Sequence, residues 1–143
     1  MTSVETVCPA CGRVNRVPAE RLDAGGKCGA CREPLFSGRV LALEDGGFDR
    51  YLAREQLPLV VDFWAAWCGP CKAMAPVFEA VAAATGPAAR FVKVNVEAAP
   101  GAAARYGIRS IPTLMVFKGG RPVANAAGAM SAEQLRRWVA ENI

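Results

Sequence analysis

The rhythm of apolar positions changes near residue 35. From there on, the chain alternates runs suited to strands with runs suited to helices. Leu59 to Trp64 ("LVVDFW") is too continuously apolar for an edge and predicts a strand buried on both faces. A helix is predicted from Pro70 to about Ala84, with Gly86–Pro87 as its stop and Pro76 inside it as a kink. Phe36 to Leu43 reads as a short strand or connector. Phe48 to Gln56 reads as a short helix with Phe48, Tyr51 and Leu52 on one face. "RFVKVNV" alternates Phe91, Val92, Val94 and Val96 with polar residues and predicts a strand, and Gly101 to Tyr106 a short helix. Thr113 to Phe117 predicts another strand, Gly119–Gly120 a turn, and Pro122 to Ala127 a weaker strand whose proline suits an edge. Ser131 and Gln134 are spaced as a capping box for a last helix bearing Leu135, Trp138 and Val139 on its apolar face. A β-α-β half, a hairpin and a terminal helix make an α/β fold, a mixed sheet with helices on both faces.

Residues 1–34 have a different texture. They are rich in Cys, Gly and Pro and show neither an apolar stripe nor a long alternating strand, so a staple is expected in place of a core. The chain is therefore divided into a small segment, 1–34, and a main domain, 35–143.

Composition narrows the function. With 52% hydrophobic and 21% charged residues, the chain can bury a core and is not compositionally disordered. The net charge of +4 is spread thinly without a basic run, so no nucleic-acid partner is expected. The opening "MTSVETVCPACG" lacks a basic stretch followed by an apolar one, and no window approaches 18 apolar residues. Neither secretion nor a membrane span is expected, and the expected location is the cytoplasm. There, six cysteines point to metal or redox chemistry rather than structural bridges. The chain contains no histidine, so no imidazole can serve as metal ligand or general base.

All six cysteines lie in C-x-x-C units: Cys8–Cys11, Cys28–Cys31 and Cys68–Cys71. The first two pairs, sixteen residues apart in a coreless segment, match the spacing of a closed, structural zinc site made of four cysteines. Gly12 and Gly29 suit the tight turns such pairs need, and "DAGGK" supplies slack. An iron–sulfur centre and a segment with incidental thiols are the competing readings.

The third pair stands alone between a buried strand and a predicted helix start. Free backbone N–H groups and the positive helix end there stabilise a thiolate. That setting reads as a thiol–disulfide exchange site, with Cys68 attacking and Cys71, one turn further in, resolving. A buried or metal-binding pair is the alternative. Asp62 is a charge in an apolar strand. It is either paired, with Lys93 a candidate, raised in pKa so as to relay protons to Cys71, or turned to solvent at the strand end. Of Trp64 and Trp67, one is expected in the core and the other as a flat apolar surface beside the sulfur. Pro112, directly before a strand, is a candidate cis proline.

From about Leu35 onward, "VDFWAAWCGPCKAMAP", "KVNVE", "YGIRSIPTLMVFKGG" and the late Gly128 resemble the thioredoxin family. With its N-terminal cysteines, the whole chain resembles the group of that family with a zinc-binding extension, the thioredoxin 2 group. The resemblance implies a thioredoxin fold preceded by a zinc-ribbon-like segment holding one structural Zn²⁺ through Cys8, Cys11, Cys28 and Cys31, with no organic cofactor. It implies reduction of disulfides in protein substrates and re-reduction by an NADPH-dependent thioredoxin reductase. Cys68 resembles the family's exposed nucleophile, Cys71 its buried resolving thiol, and Asp62 the buried acid assisting it, with Lys93 as neighbour. Trp67, Gly69 and Pro70 resemble the docking surface, Pro112 the cis proline flanked by Ile111 and Thr113, and Gly128 the glycine that gives substrates room. Glu97 departs from the Asp common at that position and keeps the charge.

The rival reading is a binding or chaperone module in which the ribbon recruits a partner and redox activity is secondary. It requires an exposed basic or aromatic stripe on residues 1–34. The five basic residues there are offset by four acidic ones, and the segment has no aromatic residue.

Overall fold

The computed structural model describes residues 2–143. Its main body is a five-stranded mixed sheet built from β3 (Leu41–Leu43), β4 (Leu59–Trp64), β5 (Arg90–Asn95), β6 (Thr113–Lys118) and β7 (Arg121–Ala127). Four helices accompany it: α1 (Asp45–Arg54), α2 (Gly69–Thr85), α3 (Pro100–Arg105) and α4 (Ala132–Asn142). The spatial order is β3-β5-β4-β6-β7, with β4 central, parallel to β5 and antiparallel to β6. That position explains its nearly unbroken apolar sequence, since both faces and both edges are covered.

Alternation along β4 divides the core in two. Leu59, Val61 and Phe63 join Phe48, Tyr51, Val92 and Val94 in one cluster, where α1 and α3 lie. Val60 joins Met74, Phe78, Phe91, Leu135 and Val139 in the other, beneath α2 and α4. Asp62 follows Val60 on this second face, a carboxyl where the pattern calls for an apolar side chain. Phe48 anchors the first cluster, fully buried and edge-on to Phe63, Tyr106 and Phe117. Such aromatic pairs contribute about 0.5–1.5 kcal/mol each beyond their buried area.

Most expected elements are present with small shifts at their ends. Helix α2 begins at Gly69 and continues through Pro76, whose ring leaves the Lys72 carbonyl without a helical donor. It stops at Gly86, whose φ of 63° suits glycine. The capping box of α4 is complete: Ser131 Oγ accepts from Gln134 N at 3.2 Å, and Gln134 Oε1 accepts from Ser131 N at 3.0 Å. Strand β7 forms the sheet edge, with Pro122 opposite Phe117 beside a register shift. Between Phe36 and Leu43, only the last three residues form a strand.

Residues 1–34 differ from the sequence expectation. They contain an antiparallel hairpin of β1 (Ser3–Val7) and β2 (Val14–Pro18), with Ser3 opposite Pro18 and Val7 opposite Val14. Nor is the segment without apolar burial. Val7 is fully buried in the cluster around Phe48 and Tyr51, while Cys8 and Cys28 pack with Leu35. The hairpin was not evident because its core is borrowed. It contributes Val7, with Val14 packed alongside, to a cluster built by another part of the chain.

Candidate active site and metal centre

Strand β4 delivers the chain to Trp64, a short loop follows, and Cys68 becomes the N-cap of α2. Cys68 and Cys71 are joined as a disulfide. Cys68 Sγ accepts from the Cys71 backbone N–H at 3.2 Å, so an orphan donor of the helix start points at the sulfur. This contact and the helix end stabilise negative charge on Cys68 when the bond is open. Cys68 retains 5% of its exposure and Cys71 2%.

Of the residues expected for docking, Ile111, Pro112 and Gly128 lie together at the corner beside this sulfur. The Ile111–Pro112 bond is cis, and the Ile111 carbonyl oxygen lies 3.7 Å from Cys68 Sγ. Gly128 N donates to the Pro112 carbonyl at 2.8 Å, bringing the end of β7 to the same corner. With φ at 96°, Gly128 holds a conformation that side chains rarely adopt. Thr113 Oγ1 donates to Ser110 O at 2.6 Å and so faces its own turn. A Cβ at Gly69 would meet nothing within 4 Å, and Trp67 is 67% exposed, so this side of the disulfide is open.

Behind the disulfide is a cavity of about 80 Å³, lined by Asp62, Trp64, Cys71, Lys72, Phe78 and Lys93 among others. Asp62 is 4% exposed, and its Oδ1 has no hydrogen-bond partner. Burial pushes its carboxyl up from 3.8 to about 7, with the Lys93 charge opposing. Asp62 is therefore neither turned to solvent nor neutralised by a bonded cation. It is a buried acid that exchanges its proton near neutral pH, and it lines the same cavity as Cys71.

The other four cysteines meet at the turn end of the β1–β2 hairpin, where Cys8 and Cys11 lie in the connection between Val7 and Val14. Their sulfurs all lie within 4.8 Å of one another and form no disulfide. Cys8 Sγ is 3.6 Å from Cys31 Sγ, and Cys11 Sγ is 3.7 Å from Cys28 Sγ. Four sulfurs around a tetrahedral ion at the zinc–sulfur bond length would be about 3.8 Å apart. The donor set and its spacing fit such an ion. Each pair forms a turn of the same design. Gly12 N donates to Cys8 O at 2.9 Å, and Arg32 N to Cys28 O at 3.0 Å. The residue after each pair has positive φ, 79° at Gly12 and 69° at Arg32.

Several structural residues were not evident from the sequence. Asn15 Nδ2 donates to Cys28 Sγ at 3.4 Å, while Asn15 Oδ1 accepts from Gly29 N at 2.9 Å, tying the hairpin to the second turn. Glu55 and Arg90, both buried, form an ion pair at 3.2 Å where the segment meets the sheet. Glu55 Oε1 accepts from Thr6 Oγ1 and Val7 N, and Arg90 donates to Thr6 Oγ1 and to the carbonyls of Val7 and Leu35. The Arg90 guanidinium also lies over the Phe36 ring, 4.2 Å from its centre. The only sequence signal was an arginine opening an apolar strand.

Comparison with known proteins agrees with this geometry. The thioredoxin family pattern matches residues 39–141, and a pattern described as the N-terminal part of thioredoxin 2 matches residues 7–33. Thioredoxin C-3 of Corynebacterium nephridii is 38% identical over 137 residues, covering 96% of this chain and 94% of that protein. A thioredoxin of Alicyclobacillus acidocaldarius subsp. acidocaldarius is 45% identical over 102 residues, 71% of this chain and 96% of its own. A helix-capping disulfide beside a cis proline and the match over most of the length lead to one conclusion: the chain belongs to the thioredoxin family and is a thiol–disulfide oxidoreductase.

Proposed function

We propose that the chain is a cytoplasmic protein-disulfide reductase whose catalytic domain is 35–143 and whose segment 1–34 is a structural zinc ribbon. The observation that carries the reductase reading is the pairing of Cys68, held at a helix N-terminus, with an unbonded buried carboxyl behind Cys71. In the reduced protein, the Cys68 thiolate attacks one sulfur of a substrate disulfide. A mixed disulfide forms and one substrate thiolate leaves. The Asp62 carboxylate takes the proton of Cys71, and the Cys71 thiolate attacks Cys68 Sγ. The second substrate thiolate leaves, and two electrons have passed from the protein to the substrate. Trp67, Gly69, Pro70, Ile111, Pro112, Thr113 and Gly128 form the face on which the substrate chain lies.

Return to the dithiol requires a reductant of two electrons, which we assign to an NADPH-dependent thioredoxin reductase. Cys8, Cys11, Cys28 and Cys31 would hold Zn²⁺ as four thiolates. The ion supplies structural cross-linking and leaves no position open for substrate. The rival binding-module reading has less support, because residues 1–34 carry no aromatic residue and one of their five basic residues, Arg16, pairs with Glu5 of the same hairpin at 3.6 Å.

The test is a pair of substitutions assayed on a protein disulfide with dithiothreitol or with reductase plus NADPH. Cys68→Ser is expected to abolish turnover. Cys71→Ser is expected to accumulate a mixed disulfide with substrate. Full turnover by Cys68→Ser overturns the reading. Metal analysis should find one zinc per chain in both variants.

A further inference from the structure

Asp62 and Lys93 are register partners on the adjacent parallel strands β4 and β5. Such strands run about 4.8 Å apart, well within reach of a lysine's four-carbon stem. Yet among the described residues no ion pair within 4 Å joins the two, and Asp62 Oδ1 remains without a partner. Reach does not explain the missing bond. The Lys93 ammonium instead lies over the Trp64 ring, 5.1 Å from its centre. Trp64 Nε1 has no hydrogen-bond partner, so no bond from the indole N–H fixes the ring there. Its face toward Lys93 is the polar contact it makes.

We infer that Trp64 is a positioning residue that holds the Lys93 ammonium on its aromatic face and so keeps Asp62 from forming a direct ion pair. A cation over an indole face is attracted by the ring quadrupole, and the attraction strengthens away from water. Trp64 and Asp62 therefore compete for one ammonium. While the ring holds it, the carboxyl remains unbonded and exchanges its proton near neutrality. If the ammonium moved onto the carboxylate, Asp62 would be fixed as an anion and would return a proton less readily. The other ionisable groups around the cavity are Lys72 and Glu79, both from α2, with the Cys71 thiol added only when the disulfide is open. Leu114, opposite Asp62 on β6, and Val40 contribute no charge.

The inference rests on the proposed role of Asp62, but it can be tested without turnover. The pKa of Asp62 is read by NMR on the whole zinc-loaded chain with Cys68–Cys71 oxidised. Trp64→Leu is expected to lower it by about one unit as the ammonium moves to the carboxylate, and Trp64→Phe by less. Because Trp64→Leu also admits water, the same change is made in a Lys93→Met background. There it should produce no further shift. An equal drop in both backgrounds makes hydration the cause and overturns the inference, as does no drop in the first.

A reading that needs no variant is the Lys93 ε-methylene protons, which should be shifted upfield by the ring. Random-coil shifts there overturn the inference even if Trp64→Leu does not fold. Under turnover, the pH profile of the resolving step should move down with the Asp62 pKa. Loss of activity in Cys68→Ser has no bearing on these readings, so the two proposals fail separately.

Discussion

Cys28–Gly29–Ala30–Cys31 and Cys68–Gly69–Pro70–Cys71 differ by one residue of four and end as different devices. In both, a backbone N–H points at the first sulfur, from Ala30 at 3.4 Å and from Cys71 at 3.2 Å. They diverge after the second cysteine. Arg32 enters the left-handed region and folds the chain back toward Cys28, leaving both thiols beside a second pair. Lys72 instead continues a helix that runs to Thr85, so Cys71 points inward, bonds Cys68 and lines a cavity that Asp62 also lines. The tetrapeptide sets the local turn. The next residue's backbone and the groups behind it decide between a four-thiol cluster able to take a metal and an exchange site.

If the two sites are independent, damage to one should spare the other. Stripping the metal with a chelator removes a ligation free energy on the order of 10 kcal/mol. Hydrogen exchange should show lost protection in β1 and β2, while Cys68 still turns over. Loss of both together would break the comparison. Next in size is Glu55→Ala, which leaves the buried Arg90 without its counter-charge and should cost about 3–5 kcal/mol in denaturant melts. The site reactivity of Cys68 should be unchanged at temperatures where the variant is folded.

Asp62 gives a pH-dependent effect that the ribbon does not share. Its folded pKa is raised from 3.8 to about 7, so between these values the folded protein binds a proton that the unfolded chain has released. Stability therefore falls as pH rises through this window and levels off above it. Asp62→Asn should stabilise the fold by up to about 4 kcal/mol at pH 8 and by almost nothing at pH 4, while slowing release of the mixed disulfide. The same gain at both pH values would mean that the carboxyl is not the source. Smallest is Arg32→Gly, which relieves a left-handed non-glycine residue and should raise ribbon stability or metal affinity by about 1 kcal/mol. No gain there would show that the second turn is not strained relative to the first.

Both cysteine devices and most of the main fold were legible in the sequence, because their signals are local. Strand β4 has its apolar run, α4 its capping box, and each cysteine pair its spacing. The raised carboxyl of Asp62 was foreseeable from a charge in an apolar strand, though only as one of several alternatives. What could not be read depends on contacts between distant residues. Thr6, Glu55 and Arg90 lie far apart in the chain, and only Arg90, at the head of an apolar strand, has neighbours that hint at burial. The hairpin of residues 3–18 hides for the same reason, since Val7 is apolar toward a core that it does not itself build. Arg32 gave no sign of its backbone conformation, which glycine would have advertised.

The ribbon docks where β4 and β5 begin, at Arg90 and the residues before Leu59, and the disulfide lies beyond their other ends. Six residues of strand span roughly 20 Å. Thiol exchange requires two sulfurs in contact, so this separation forbids Cys68 from attacking or oxidising the ribbon of its own chain. Scrambling between the two sets can only be an encounter between molecules. It should therefore follow second-order kinetics and vanish on dilution. The length of the strands acts as insulation between a reactive dithiol and four thiols of the same element.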